Sequence, residues 1–427
     1  MSLVTKSLPF LVAPSEATPA GTVRLTSMDS ALASLPMAAV FVFEHPIDQP
    51  AETIRRALSR ALVPYYPIAG RLTVGEHGPR IACTCEGVAF VAASARCTLH
   101  DARLTDRRPA IPAEDLTVTY AGQYNQKDSP LLLMQVTEFS CGGFVVGVTW
   151  NHVITDGVGM AQFLQAVGGF ARGFSSPSTV EPVRVDCALP EFPPPIIAMT
   201  KEMVSRKHNE FPNSYITIPM SFINRIKDEF RRSSGQVGGD HNASCTAFDV
   251  FTAAIWKCRA RATVACGTAN KDAPTAFVFT ANVRKQAGAK DGYYGNVFTF
   301  GLAVSTVGAV ANGDILDLVR LIRDAKARVP YTFADGAANI ADEMGGRLQG
   351  LDGYNTLYVT SWWNLGLDDV DFGSGGPACI MGNMERKVVP ACILCGRKDK
   401  ADGVAAMAFC VKQEHAEAFH SELGMLR

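Results

Sequence analysis

Residues 142–170 constrain the fold most, because their hydrophobic period changes from strand-like to helical within a short distance. Residues 144–150 are almost all apolar and lie between a glycine pair and an Asn-His pair, which predicts a buried strand. From Val158 onward, apolar residues recur at spacings of three and four, which predicts an amphipathic helix. We therefore expect His152 where a strand meets a loop, a place from which a rigid frame can present a catalytic side chain.

The rest of the chain indicates two domains of mixed structure. Its 427 residues exceed what one hydrophobic core usually supports. Predicted strands and helices occur in both halves without strict βαβ alternation, which is typical of the α+β class. Prolines cluster at residues 190–195 and cannot continue a helix or a central strand, although a helix is possible near residues 198–207. We therefore predict an N-terminal domain of residues 1–188, a crossover loop of residues 189–213 and a C-terminal domain of residues 214–427.

Two local patterns give more detailed expectations. Residues 80–85 and 87–92 look like paired strands joined by a Glu-Gly turn, as in a hairpin. Thr246 and Asp249 have the spacing of a capping box, and apolar residues follow them at helical intervals. We expect a helix from this box to about Arg261.

Composition excludes several classes of function. The chain is 47% hydrophobic and 19% charged, as expected of a folded globular protein. Its 40 basic and 41 acidic residues give a net charge of −1, which argues against nucleic acid as a partner. No apolar run approaches the roughly 20 residues that span a bilayer, and the first residues do not resemble a signal peptide. We expect a cytoplasmic monomer without membrane contacts.

The twelve cysteines stand mostly in apolar surroundings. Cys392 and Cys395 form a C-x-x-C pair, but no second pair stands at zinc-binding spacing. We expect buried, reduced thiols rather than a metal or redox site.

His152 is the strongest candidate for chemistry. A neutral imidazole titrates near physiological pH and can take a proton from an attacking hydroxyl or amine. Asp156 follows four residues later, but a triad would also need a nucleophile, and the chain has no G-x-S-x-G elbow in the required context. Spacing alone leaves two alternatives open: His152 is a general base, or it is a histidine that only caps a loop.

Several blocks, taken in order, resemble one family. The residues His152-Val-Ile-Thr-Asp156-Gly157 match H-x-x-x-D-G, the first signature of the plant BAHD acyl-CoA-dependent acyltransferases, and Asp371-Phe-Gly373-Ser-Gly resembles their second signature, D-F-G-W-G. Similar blocks stand at residues 62–72, 245–259, 282–284, 292–296 and 360–362. The resemblance extends over essentially the whole chain, and the ordered set is far more specific than H-x-x-x-D-G alone.

This resemblance implies a fold and a mechanism. The family has two domains like that of chloramphenicol acetyltransferase, each a mixed sheet with flanking helices, and a crossover loop joins them. Acyl-CoA and the acceptor meet at the histidine in a channel between the domains. His152 would then act as general base without a covalent intermediate, with acyl-CoA as co-substrate and no bound cofactor or metal.

The resemblance also implies roles for single residues. Thr360 or Trp362 would stabilise the oxyanion, and Asp156 would pair with Arg284 rather than touch the substrate. Gly157, Asp371 and Gly373 would be structural. Contacts to CoA are expected from basic side chains and helix N-termini, namely from Ser244, Lys257, Arg259 and Asn296.

Departures from the family pattern bear on the substrate. Asn364 stands where members that acylate shikimate or quinate have an arginine, so we expect no carboxylate on the acceptor. Asp368 and Asp369 follow, and they are either an acidic rim, which would suit a cationic amine, or exposed loop acids. We expect an aromatic acyl group, benzoyl or hydroxycinnamoyl, to be transferred to an arylalkylamine such as tryptamine. The alternatives are a neutral alcohol acceptor, such as a monolignol or benzyl-type alcohol, and acetyl-CoA as donor.

Two other classes remain to be weighed. Condensation domains that act on carrier proteins share a related fold, but they expect a second histidine where this chain has Asn151. A silent acyl-CoA-binding homologue would not need an intact first signature, which His152, Asp156 and Gly157 preserve.

Overall fold

The computed structural model describes residues 3–33, 35–75, 78–106, 109–120, 128–176, 180–186, 188–236, 244–330, 353–396 and 403–426. The strands are β1 (Val4–Lys6), β2 (Phe10–Val12), β3 (Thr22–Arg24), β4 (Pro36–Phe43), β5 (Arg71–Gly75), β6 (Gly78–Ala82), β7 (Val88–Ala95), β8 (Leu132–Phe139), β9 (Phe144–Asn151), β10 (Ser214–Pro219), β11 (Pro274–Asn282), β12 (Phe298–Thr306), β13 (Thr356–Ser361), β14 (Cys379–Asn383), β15 (Ala391–Leu394) and β16 (Gly403–Phe409). The helices are α1 (Ser27–Ala31), α2 (Pro50–Ala61), α3 (Leu99–Ala102), α4 (Gly157–Ala171), α5 (Pro194–Ser205), α6 (Met220–Gln236), α7 (Ala247–Ala265), α8 (Arg284–Ala287), α9 (Val307–Asn312), α10 (Ile315–Arg328) and α11 (Ala416–Gly424).

Two large mixed sheets organise the described residues. The first has the order β1-β7-β8-β9-β4-β14, with β2 also on β7, and the second has the order β10-β16-β15-β13-β11-β12. Parallel and antiparallel pairs occur in both, and helices flank them. The α+β expectation with a mixed sheet in each half is confirmed.

The buried strand that we predicted before His152 is β9, and it lies inside the first sheet. All eight of its residues are buried, with β8 on one side and β4 on the other. A strand that is buried on both faces needs a continuous apolar sequence rather than an alternating one. The rigid strand therefore ends directly at His152.

Strand β14 modifies the division of the chain by residue number. It follows the second signature in sequence, yet it pairs with β4 in the first sheet, with Met381 opposite Val40. The predicted C-terminal range of residues 214–427 therefore does not coincide with the second sheet. Proline content locates a crossover but carries no information about a later strand that returns.

The predicted hairpin of residues 80–92 is wrong. Strand β6 pairs with β3 and β5 in a separate three-stranded sheet, whereas β7 pairs with β1, β2 and β8 in the first large sheet. Between them, Cys85 and Gly87 have positive φ values of 59° and 93°. The chain turns there from one sheet to another, because each strand buries its apolar face against a different neighbour.

Helix α7 begins as predicted. The Thr246 hydroxyl accepts a hydrogen bond from Asp249 N, and the Asp249 carboxylate accepts one from Thr246 N. The helix continues to Ala265, four residues beyond the expected end. Within the part of the chain described, no helix has the length and hydropathy needed to cross a membrane.

Candidate active site

A cavity of about 170 Å³ lies between the two large sheets and contains His152. The N-terminal half contributes residues near β4, the end of β9 and the start of α4, and the C-terminal half contributes β11, β12, β13 and β15. Six aromatic side chains stand in its wall, namely Trp150, Phe279, Phe298, Phe300, Tyr358 and Trp362. Asp156 is the only Asp, Glu, Lys or Arg among the described lining residues, and most of the others are apolar, so the cavity is largely apolar.

The main chain around His152 is held from both sides. His152 N donates to Leu35 O at 2.9 Å, and the Asn296 amide donates to His152 O at 2.8 Å. The ring lies 5.9 Å from that of Phe298, and Nδ1 is buried. Burial lowers the pKa of His152 below its ordinary value of 6.5, and its own carbonyl, Asp156, Asn296 and Asp29 oppose this only in part. The imidazole is therefore kept neutral, as a general base must be.

Asp156 caps α4 and binds Arg284. Its Oδ1 accepts from Val158 N and Gly159 N at 3.1 Å each. Both carboxylate oxygens accept from the Arg284 guanidinium at 2.8 Å. The predicted Asp156–Arg284 pair is thus present, and it joins the two halves of the chain. These partners occupy the carboxylate, so it has no direct bond to the imidazole.

Close neighbours explain Gly157, the glycine of the first signature, and Gly159, two residues after it. A Cβ on Gly157 would lie 2.7 Å from Leu365 Cδ1, at the cavity wall. A Cβ on Gly159 would lie 2.0 Å from the main-chain oxygen of Tyr294, which cannot move aside easily. Glycine therefore allows α4 to begin against the segment that follows α8.

Asn296 has a different place from the one we predicted. We expected a contact to CoA, but its side chain is buried and donates to Asp29 Oδ1 and to His152 O, at 2.8 Å in both cases. Its main-chain N–H also donates to Asp29 Oδ1, at 3.2 Å. Sequence reasoning missed Asp29 altogether, and it missed Arg184, which binds Asp29 at 3.0 Å. Only a capping-box spacing from Thr26 to Asp29 could have indicated a buried carboxylate there.

Thr360 and Trp362 both line the cavity. The Thr280 hydroxyl donates to the Thr360 hydroxyl oxygen at 2.9 Å across the β11–β13 pair. Trp362 N donates to Leu394 O at 3.1 Å, so that amide is already engaged in the sheet. Thr360 therefore keeps a hydroxyl hydrogen that it can donate, whereas Trp362 can donate only through its indole N–H.

Asn364 does not reach the cavity. It is exposed, has a left-handed φ of 58° and lies outside the set of lining residues. Asp368 and Asp369 are also exposed, on the short 3-10 turn that follows. Asn364 therefore has no contact with this cavity, and the two aspartates are exposed loop acids, the second of the two alternatives, rather than part of the cavity lining. Sequence proximity to Trp362 did not reveal that the chain turns away there.

The basic residues that we assigned to CoA have other partners. Arg259 is buried, donates to the main-chain oxygens of Cys410 and Tyr354, and stacks on the Tyr354 ring. Lys257 donates to Gly313 O, and burial lowers the pKa of its ammonium group. Both side chains thus hold α7 to its neighbours, and a contact of either with CoA stays a prediction. Ser244 is exposed just before α7 and stays a prediction.

The second signature lies away from the cavity lining and against α4. Asp371 Oδ1 accepts from Gly373 N at 2.7 Å and from Gly375 N at 2.9 Å, and Arg172 contacts Oδ2 at 3.3 Å. Gly373 has a φ of 118°, a region that favours glycine. Phe372 is buried against the Phe43 ring at 5.3 Å. The loop thus forms an Asp-centred turn that fastens the start of β14 to the first sheet.

Cys392 and Cys395, the C-x-x-C pair, are buried at the second sheet, as expected. Burial raises the pKa of the Cys395 thiol to about 12. Cys392 and Cys410 are both free thiols, and the hydrogen bond between them, together with burial, raises the pKa of Cys392.

Comparisons with known proteins identify the class of enzyme to which this two-sheet fold and its histidine-containing cavity belong. The model of the Transferase family matches residues 2–425. Acyl transferase 15 of Oryza sativa subsp. japonica is 40% identical, covering 100% of this chain and 99% of its own. Myricetin 3-O-glucosyl 1,2-rhamnoside 6'-O-caffeoyltransferase AT2 of Crocosmia x crocosmiiflora is 31% identical, covering 98% of each.

The fold is also similar to that of vinorine synthase, with a TM-score of 0.73 and 21% identity, over 99% of this chain and 98% of that one. The chain therefore belongs to the Transferase family, the BAHD acyl-CoA-dependent acyltransferases. It is an enzyme of the acyltransferase class.

Proposed function

We propose that this enzyme transfers an aromatic acyl group from coenzyme A to an uncharged acceptor, with His152 as the general base. The observation that carries the proposal is a neutral imidazole with a lowered pKa in an otherwise largely apolar cavity between the two sheets. Such an imidazole can accept a proton at neutral pH and return it.

The reaction needs one base and no covalent enzyme intermediate. We assign His152 Nε2 as the base, because Nδ1 is buried. Nε2 takes the acceptor's proton while the acceptor oxygen attacks the thioester carbonyl, whose electron pair moves to its oxygen. The tetrahedral intermediate then re-forms the carbonyl, the C–S bond breaks, and His152 returns the proton to the sulfur of CoA.

Thr360 is our candidate for stabilising the oxyanion. Its hydroxyl oxygen accepts from Thr280 at 2.9 Å and the residue lines the cavity, so its own hydrogen is available to a bound substrate. A donor fixed in advance costs no reorganisation as charge develops. Thr360→Val keeps the shape and removes the donor, so we expect kcat to fall by about 10- to 1,000-fold with little change in KM. An unchanged kcat would assign the oxyanion to another donor.

The wall of the cavity favours an aromatic acyl group. Trp150 and Trp362 lie 6.4 Å apart, and Phe298 lies 5.7 Å from Phe300. Aromatic faces stack and make edge contacts with an aryl ring more favourably than aliphatic surfaces do. The caffeoyltransferase relative transfers an acyl group of this kind by its name.

The charge of the cavity favours a hydroxyl over an amine. An arylalkylamine arrives as an ammonium ion, yet the one carboxylate in the described lining, Asp156, already binds Arg284. Burying an unpaired charge costs roughly several kcal/mol, so a neutral alcohol enters the cavity more easily than an ammonium ion does. By the same argument a carboxylate acceptor is disfavoured, since no Lys or Arg stands among the described lining residues. An amine acceptor is our second candidate, because neutral amines are the stronger nucleophiles.

The two acceptors can be separated with matched pairs. Benzoyl-, p-coumaroyl- and acetyl-CoA are each combined with tryptophol or tryptamine, and with benzyl alcohol or benzylamine. Products are identified by mass, and CoA release is followed by free thiol. We expect esters from the aromatic donors. Faster amide formation would overturn the hydroxyl assignment, and preference for acetyl-CoA would overturn the aromatic one.

A further inference from the structure

We propose that Asp29, Arg184 and Asn296 form a positioning network that fixes the main chain of His152 and thereby aims its imidazole at the reacting atoms. The inference rests on the proposed role of His152 as general base. None of the three residues lines the cavity. They come from three distant parts of the chain: Asp29 from α1, Arg184 from the segment after α4, and Asn296 from the segment before β12.

Asp29 is the centre of the network. It is completely buried, and its carboxylate accepts four hydrogen bonds. Oδ2 accepts from Thr26 N and from Arg184 Nη2, both at 3.0 Å, and Oδ1 accepts twice from Asn296. A buried carboxylate with these fixed donors has one orientation only, which makes it a firm anchor.

Two links connect this anchor to the catalytic loop. The Asn296 amide nitrogen donates to Asp29 Oδ1 and to His152 O, at 2.8 Å each. Arg184 Nη2 donates to Asp29 Oδ2 at 3.0 Å and to Val153 O at 3.2 Å. Two successive main-chain carbonyls after β9 are thus bound to one carboxylate through two different side chains. On the opposite side, His152 N is held by Leu35 O.

This arrangement bears on catalysis because proton transfer depends on the position of the base. A displacement of about 1 Å can cost roughly 100-fold in rate. The network also places charged groups near the imidazole. Asp29 and Asp156 favour the protonated ring, and each forms an ion pair, Asp29 with Arg184 and Asp156 with Arg284. Loss of the Asp29 charge removes one of the effects that oppose burial, so the pKa of His152 should fall further.

Asp29→Asn and Asn296→Ala test the network, with benzoyl-CoA as donor and a saturating alcohol acceptor. We expect each to lower kcat by about 10- to 100-fold, with KM for acyl-CoA changed less than about twofold. The double variant should lose no more than the worse single variant, because the two residues act through one connection. Asp29→Asn should also shift the acid limb of the pH profile, the fall of kcat/KM at low pH, to lower pH.

Asp249→Asn is the matched control. Asp249 is also a buried capping-box aspartate, paired with Lys326 at 2.7 Å, but it lies at the start of α7 and does not line the cavity. Its loss should lower the melting temperature in the same way as Asp29→Asn does. We expect its kcat per folded molecule and its acid limb to stay unchanged.

Three outcomes would overturn the inference. The first is an Asp29→Asn enzyme whose kcat per folded molecule, and the pH at which its kcat/KM falls in acid, are both normal, as in the control. The second is an Asn296→Ala enzyme with a raised KM for acyl-CoA and a normal kcat, which would show that Asn296 serves CoA binding and not the position of His152. The third is additivity of the two changes. If Asp29→Asn does not fold, Asn296→Ala alone decides. His152→Ala with near-normal turnover would instead reject the proposed base and leave the network's geometry untouched.

Discussion

The two signatures of the family are both built around an aspartate that binds loop amides and an arginine. Asp156 accepts from Val158 N and Gly159 N and binds Arg284, whereas Asp371 accepts from the amides of Gly373 and Gly375 and is contacted by Arg172. Both arginines come from distant parts of the chain. As sequence motifs and as local turns, the two are close equivalents.

They differ in burial and in how completely the carboxylate is used. The side chains of Asp156 and Arg284 are 8% and 15% exposed, and two 2.8 Å bonds join them. Those of Asp371 and Arg172 are 24% and 35% exposed, with one contact of 3.3 Å. The first lies beside His152, the proposed base, and the second lies against the C-terminal end of α4. Two similar turns can therefore contribute unequally to stability, because water screens the exposed Asp371–Arg172 pair more than the largely buried Asp156–Arg284 pair.

The largest effect is expected from His152→Ala, which removes the one group that separates the first signature from the second. Loss of a general base should lower kcat by about 100- to 10,000-fold. The melting temperature should change little, because Asp156 and Arg284 keep the loop in place. Steady-state kinetics and thermal unfolding measure the two quantities. A soluble variant with near-normal turnover would contradict the mechanism.

The pH dependence sharpens the same distinction, because only the first signature contains a histidine. Burial lowers the pKa of His152, so kcat/KM should fall as the pH is lowered, and the midpoint of this fall should lie below pH 6.5. Each further unit of acid should reduce it about tenfold. The unfolded chain binds more protons in this window, so folding stability should also fall as the pH drops below 6.5. A kinetic midpoint at or above 6.5 would contradict the assignment.

Asp156→Ala should destabilise the protein by about 3–5 kcal/mol, because it leaves the largely buried Arg284 guanidinium without its carboxylate partner. Activity should fall too, since the start of α4 and the loop of His152 lose their anchor. Urea unfolding of Asp156→Ala, Arg284→Ala and the double variant measures the coupling. If Asp156→Ala lost activity at full stability, the carboxylate would act in chemistry and not as an anchor.

Asp371→Ala should cost only about 1–2 kcal/mol, from the loss of two loop hydrogen bonds to a partly exposed carboxylate. Turnover per folded molecule should remain within about twofold, because the loop does not line the cavity. The comparison with Asp156→Ala in the same urea series gives the difference directly. An activity loss as large as that of His152→Ala would show that the second signature also serves catalysis.

Ser374→Ala should have the smallest effect. Ser374 stands where the family usually has tryptophan, and its Oγ is buried without a hydrogen-bond partner in the described structure. Removing an unsatisfied hydroxyl should change stability by less than about 1 kcal/mol, with stabilisation as the expected direction. Thermal unfolding checks it, and a clear loss of stability would reveal a partner for this hydroxyl.

Much of the local structure around the site was predictable. The change of period after residue 150 predicted β9 and α4, and the Thr246–Asp249 spacing predicted the start of α7. The two signatures in order predicted the family and the Asp156–Arg284 pair. These inferences depend on patterns within a few residues, or on a resemblance that extends along the whole chain.

The tertiary structure decided the rest. Lys257 and Arg259 looked like phosphate ligands, yet packing turned them inward onto main-chain oxygens. Asp368 and Asp369 looked like a rim but stand outside the cavity lining. Asn296 looked like a CoA contact, yet it binds His152 O across 144 positions of the chain. A polar side chain takes its role from the partners that folding brings to it, and partners more than a hundred residues away leave no periodic trace in the sequence.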